Sequence, residues 1–169
     1  IQTLALFKKR LLAKHAKKLG ELIQECFSHL LHKELLTSEI QVNPDNCSLV
    51  LFDNNRKELP PEILSAGERQ LLAVSLLWGL ARAAGRPLPV VVDTPLGRLD
   101  GTHRLNLVKR YFPEASHQVF ILSTDEEIAS TLFETLLPHV AHSYLLEYRD
   151  DLKHSVVNTG YFKQVEAAV

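Results

Sequence analysis

Four short stretches of this sequence set side chains where they could handle an anion, a divalent cation and a bound water. The first is Leu64-Ser65-Ala66-Gly67-Glu68-Arg69-Gln70. Ser65 and Glu68 have the spacing of a capping box, in which the serine hydroxyl accepts from the Glu68 backbone N–H and the carboxylate reaches back. A hydroxyl, a glycine that permits close approach and a helix N-terminus together form an anion-binding corner. Such a box precedes many ordinary helices, so its meaning rests on its neighbours. Downstream, the run Val90-Val91-Val92 stops at Asp93. A carboxylate at the carboxyl end of a parallel strand can hold a divalent cation through water. Thr94 follows, and Leu96-Gly97-Arg98-Leu99-Asp100 fills the next loop. The last stretch, Phe120-Ile121-Leu122, ends in Ser123-Thr124-Asp125-Glu126-Glu127. The hydroxyls of Thr94 and Thr124 can hydrogen-bond a water or a phosphate oxygen but cannot act as bases at neutral pH.

The elements around these stretches follow from pattern. From Ile1 to about Leu36 no Gly-Pro pair and no β-branched run interrupts the chain. Leu12, Ala16, Leu19, Ile23, Cys26 and Leu30 alternate at spacings of four and three, the a/d seam of a coiled coil, although one amphipathic helix packing on its own domain has the same pattern. Gly20 weakens this helix by about 1 kcal/mol without ending it. Ile40–Val42 and Leu49–Phe52 read as short strands around the turn signal Asn43-Pro44-Asp45-Asn46, and Asp53-Asn54-Asn55 closes the second. Pro60-Pro61 forces an extended entry into a helix from Arg69 to Ala84. That helix is apolar nearly all round, which predicts burial, and Gly85 and Pro87 end it. Val90–Val92 and Val119–Leu122 have the composition of parallel strands covered on both faces. A helix from about Thr102 to Tyr111 lies between them. Another helix runs from after Asp125 to about Leu137, with Glu126 and Glu127 in its first turn, where their charge favours the helix dipole. Ser143–Tyr148 and His154–Asn158 form a hairpin turning at Asp150-Asp151. The alternation predicts an α/β sheet with a strand-rich insertion and a helical arm.

The composition, 46% hydrophobic and 23% charged over 169 residues, is that of one folded domain. The net charge of −1 is uneven in distribution. Residues 1–20 hold Lys8, Lys9, Arg10, Lys14, Lys17 and Lys18 and no acidic residue, a local +6 that either faces solvent or meets DNA phosphates. Cys26 and Cys47 are too few for a disulfide framework, lack metal-ligand spacing and read as reduced cytosolic thiols. His139 and His142 lack a third ligand and read as surface residues. No apolar run is long enough for a membrane span and no signal peptide opens the chain. The absence of any methionine points to a piece of a longer polypeptide.

The first stretch resembles the ABC signature motif, with Ala66 and Glu68 in the form typical of coiled-coil members. Pro89–Asp93 is similar to a Walker B strand, and Leu96–Asp100 to a D-loop. Residues 120–127 stand where these ATPases carry a strand, a Ser-His pair and an acidic helix start. Three motifs in this order and spacing imply a P-loop NTPase head of the ABC/SMC type. The resemblance implies ATP and Mg²⁺, with Ser65, Ala66, Gly67, Glu68, Arg98 and Asp100 at the nucleotide, Asp93 on the metal, and Asp93, Thr94 and Thr124 around the reacting phosphate. Two residues depart from the pattern: Thr94 replaces the usual Glu and Thr124 the switch His. The sequence G-x-x-x-x-G-K-[ST] is absent. In SMC-type heads that Walker A half lies at the N-terminus, beyond a long coil. Residues 1–36 are then the end of a coiled-coil arm, 37–169 are the C-terminal lobe, and the lobe alone is inactive. Within this class, residues 60–137 resemble DndD, the SMC-like ATPase family of bacterial DNA phosphorothioation, which shares both threonine departures. The resemblance implies a cytoplasmic bacterial protein that forms an ATP-joined homodimer on double-stranded DNA. Its implied partners are DndC, DndE and a cysteine desulfurase. A repair or defence ATPase of the SMC/RecF type and a nucleotide-gated DNA clamp with little turnover are the competing expectations.

Overall fold

Apolar residues spaced by three and four drive one long helix, α1 (Gln2–Leu30). The computed structural model describes residues 2–31, 37–86, 88–124, 126–128 and 130–160; it divides after Ser123 into two units. The end of the expected arm, residues 32–36, lies outside the described residues. From Ala16 to Leu30 the seam faces inward: Ile23, Cys26, Phe27 and Leu30 are fully buried against α2 (Ala66–Ala84) and β1 (Glu39–Val42). Along this stretch the helix packs on its own domain. Toward the N-terminus Leu4, Phe7, Leu11 and Leu12 are exposed.

Two glycines permit the close packing. A Cβ at Gly20 would stand 2.7 Å from the Ile40 carbonyl oxygen, so glycine lets β1 press against the helix. A Cβ at Gly79 would stand 2.8 Å from Ile23 Cγ1 and 3.1 Å from its backbone nitrogen. Gly20→Ala should accordingly lower stability by about 1–2 kcal/mol, because a backbone oxygen cannot step aside. The same change in an open helix would gain about 1 kcal/mol. Thermal melting decides between them, and a higher melting temperature would contradict the close approach.

β1, β2 (Leu49–Phe52) and β3 (Glu58–Leu59) form an antiparallel sheet, with buried Ile40 opposite buried Leu51. β3 was not predicted. Asp53 does not merely end β2: its carboxylate accepts from the N–H groups of Asn55 and Lys57 at 2.8 Å each, folding the chain back for one more pair. Pro60 is extended as expected and leads into a 3₁₀ turn at Pro61–Ile63. The helix α2 buries Leu71, Leu72, Val74, Ser75, Trp78 and Gly79. Leu77 and Leu80 are exposed, which corrects the expectation of all-round burial: none of the described elements covers that face. Gly85 closes α2 at φ 61°.

β4 (Val90–Asp93) and β5 (Val119–Leu122) pair in parallel, with Val90 opposite Val119 and Asp93 opposite Leu122. Their composition predicted cover on both faces, yet Val91 is 63% and Phe120 47% exposed. Two strands make too narrow a sheet to enclose both sides. Between them α3 (Gly101–Asn106) runs into a π-helical turn, Leu107–Tyr111, in which the Phe112 N–H donates to the Leu107 carbonyl. The turn buries Leu107, Val108 and Tyr111. Tyr111 meets Trp78 edge-on at 5.4 Å, and Trp78 meets His29 at 5.9 Å.

The second unit holds α4 (Ser130–Leu136), a 3₁₀ turn and the antiparallel hairpin β6 (Tyr144–Arg149) and β7 (His154–Thr159). The hairpin follows expectation. Arg149 grips both Asp151 oxygens at 3.1 Å, and these hydrogen bonds hold the Asp151 carboxyl below the usual range. Glu126 and Glu127, expected in the first turn of a helix, lie in a turn instead, and the described helix is Ser130–Leu136. Glu127 is buried. No described helix is long and apolar enough to cross a membrane.

Candidate functional site

Ser65 is the N-cap of α2, and the capping box is closed in both directions. The Glu68 N–H donates to Ser65 Oγ at 3.2 Å, and the Ser65 N–H donates to Glu68 Oε2 at 2.8 Å. The box settles the chemistry of the corner. Ser65 Oγ is used as an acceptor, so its hydroxyl proton remains to donate. The N–H groups of Ala66 and Gly67 lie in the first helical turn, where no intrahelical carbonyl reaches them. Ser65 and Ala66 are exposed. Among the described residues, a Cβ at Gly67 would meet only the Arg98 carbonyl oxygen and Leu99 Cδ2, both at an ordinary 3.6 Å. The fold tolerates a side chain there, so what the glycine leaves open is approach from outside. Three donors at the positive end of a 19-residue helix suit a phosphate oxygen.

This corner is built against the loop after β4. Gln70 Nε2 donates to the Pro95 carbonyl at 2.6 Å, and the Leu99 carbonyl accepts from Arg104 Nε at 2.9 Å. Leu96 and Leu99 are buried and pin the loop from below, while Arg98 is exposed. Gln70 is the residue that sequence reading missed. It sits inside the signature-like stretch, but a lone amide gives no hint of the carbonyl it will reach. Asp100, expected at a nucleotide, caps α3: its carboxylate accepts from the His103 N–H at 2.9 Å and pairs with His103 Nδ1 at 2.9 Å. The backbone hydrogen bond from His103 holds its carboxyl below the ordinary value.

Asp93 ends β4 with an exposed side chain, as a hydrated Mg²⁺ would require. Thr94 comes next at φ 44°, and its N–H donates to the Leu122 carbonyl at 2.9 Å. A β-branched residue in the left-handed region is strained by roughly 1–2 kcal/mol. Thr94→Gly should therefore raise stability by about 0.5–1 kcal/mol after the entropy of glycine is set against it, and Thr94→Val should not. Urea unfolding of the two variants checks this, and equal midpoints would show that φ carries no strain.

Thr124 opens the second unit, where its carbonyl accepts from the Glu127 N–H at 3.3 Å; Asp125 lies outside the described residues. Ser65–Gln70 and Pro95–Leu99 are thus brought together, with Asp93 at the strand end that leads into that loop. Thr124 belongs to another unit. Lys8, Lys9, Arg10, Lys14, Lys17 and Lys18 all face solvent on α1, away from any described partner except Glu21, 3.9 Å from Lys17.

No family model and no curated protein matches this sequence. Solved structures do match in fold. One, described in terms of ATP-driven dimerization and DNA-stimulated activation of SMC ATPases, is 16% identical with a TM-score of 0.63, over 90% of this chain and 89% of that one. The SMC head domain from Thermotoga maritima is 17% identical with a TM-score of 0.54, over 86% of this chain and 48% of that one. The Smc head domain with coiled coil from Pyrococcus yayanosii is 16% identical with a TM-score of 0.59, over 84% and 26%. The chain has the P-loop ATPase-type fold of SMC head domains, a helix leading into mixed α/β structure. It spans most of the first and less than half of the other two.

Proposed function

We propose that this chain is the signature half of an SMC-like ATPase head that clamps ATP and Mg²⁺ between two protomers. The observation that carries the reading is the closed Ser65–Glu68 capping box set against the Pro95–Leu99 loop. Ser65 and the Ala66 and Gly67 N–H groups would bind the terminal phosphate of ATP held by the partner's Walker A half. Arg98, exposed beside that corner, would reach across the joint, with Asp100 aligning the loop's end. Asp93 would hold Mg²⁺ through water, and the metal would neutralise charge on the transferred phosphoryl group. Thr94 and Thr124 would orient water or phosphate by hydrogen bonds, without removing a proton. DNA would lie along Lys8–Lys18. The lobe by itself, lacking a Walker A loop, would not turn ATP over.

The two threonines further support a DndD-type protein, working with DndC, DndE and a cysteine desulfurase in DNA phosphorothioation in the bacterial cytoplasm. The test is mass spectrometry of digested genomic DNA from a strain deleted for the full-length gene. Phosphorothioate dinucleotides should vanish on deletion and return with the gene; if deletion leaves them unchanged, the head acts in another SMC/RecF-type repair or defence process. Thr94 in place of a glutamate also favours a second reading, a nucleotide-gated DNA clamp. Single-turnover measurements separate the two: ATP-dependent dimerisation without detectable hydrolysis belongs to the clamp.

A further inference from the structure

The C-terminal end of α1 presents carbonyl groups to its neighbours. Two of them are taken by one neighbour. Asn106 Nδ2 donates to the Leu30 carbonyl at 3.0 Å in a buried contact, and Arg110 Nη1 donates to the His29 carbonyl at 2.7 Å. Both donors lie on the segment that starts at the Asp100 cap, with Asn106 ending α3 and Arg110 within the π-helical turn. The π register widens the helix there, a feature concentrated at functional sites. The same turn is wedged against α2 through Tyr111 and Trp78, and Trp78 touches His29. One continuous rod therefore runs from the loop beside the signature corner to the root of the arm. Its near end is tied by Arg104 and its own carbonyl partner Leu99, and by the Asp100–His103 pair. Its far end is tied by two side-chain donors.

We propose that Asn106 and Arg110 are positioning residues that couple the nucleotide loop to the arm helix. Through them, a shift of the 94–100 loop on nucleotide binding reorients α1 and the basic stretch Lys8–Lys18 that it carries. The inference rests on the proposed function. Coupling of this kind is reciprocal, so DNA on the arm must change nucleotide affinity by the same factor.

The experiment is a thermodynamic cycle on the full-length protein. Affinity for a double-stranded oligonucleotide is measured with and without a non-hydrolysable ATP analogue, in the unsubstituted protein, Arg110→Ala and Arg110→Gln. The ratio of the two affinities should fall several-fold toward one in Arg110→Ala, while DNA affinity without nucleotide stays within about twofold. Arg110→Gln, which loses the charge and keeps only a shorter amide donor near the His29 carbonyl, should retain more of the ratio than Arg110→Ala. An unchanged ratio in Arg110→Ala overturns the proposal. So does weaker nucleotide-free DNA binding in both variants, which would make Arg110 a phosphate contact. If the unsubstituted protein binds neither nucleotide nor DNA, the functional reading itself falls, and it does so before any variant is compared.

Discussion

Ser65→Arg in the full-length protein is expected to weaken ATP-dependent dimerisation by about 100-fold or more and to remove turnover with it. The estimate follows from the corner's geometry. Losing a charge-assisted contact to phosphate is worth roughly 2–3 kcal/mol, or about 100-fold, and the arginine side chain also fills the space opened by Gly67. The fold has less at stake, because an N-cap contributes only about 0.5–2 kcal/mol. Ser65→Thr keeps both the cap and the hydroxyl and should dimerise within a few-fold of the parent. Size-exclusion chromatography with light scattering, with and without ATP, reads both variants. ATP-dependent dimers in Ser65→Arg would remove this corner from the joint.

The second large effect concerns Tyr111. Truncation to alanine should cost about 3–5 kcal/mol, a large share of the stability of an ordinary domain, because the ring is fully buried between Trp78 and Phe112. Burial pushes its hydroxyl up to about 12 from an ordinary 10. The sign follows directly. The folded state holds the phenolic proton more tightly than the unfolded chain, so this contribution is complete below pH 10 and is lost as pH rises toward 12. The loss amounts to roughly 2–3 kcal/mol. Chemical denaturation between pH 9 and pH 12 should show the decline in the parent and a flatter profile in Tyr111→Phe. The same slope in both proteins would place the titrating group elsewhere.

The local geometry of the candidate site was more legible than its surroundings. The capping box, the aspartate ending a β-branched strand and the threonine after it are local features, dictated by neighbours in sequence and by helix and strand geometry. The hairpin at 144–159 was legible for the same reason. Where expectation and structure part, the deciding partner is distant or missing. Val91, Phe120, Leu77 and Leu80 are apolar enough for a core, yet burial requires another element to cover them. Helix dipole and composition favoured a start at Glu126; the chain instead makes a turn there that buries Glu127.

Sequence alone therefore determined the groups available: a capped helix N-terminus at Ser65–Glu68, a carboxylate ending a strand at Asp93, and no base at positions 94 and 124. Tertiary structure decided which parts are joined. Gln70 finds the Pro95 carbonyl, Asn106 and Arg110 find the end of α1, and Gly20 and Gly79 set how closely the arm helix lies on β1 and α2. These contacts link residues 20 to 81 positions apart, and no periodicity or capping rule reaches that far. Only packing selects, among many available carbonyls and side chains, the one that each donor meets.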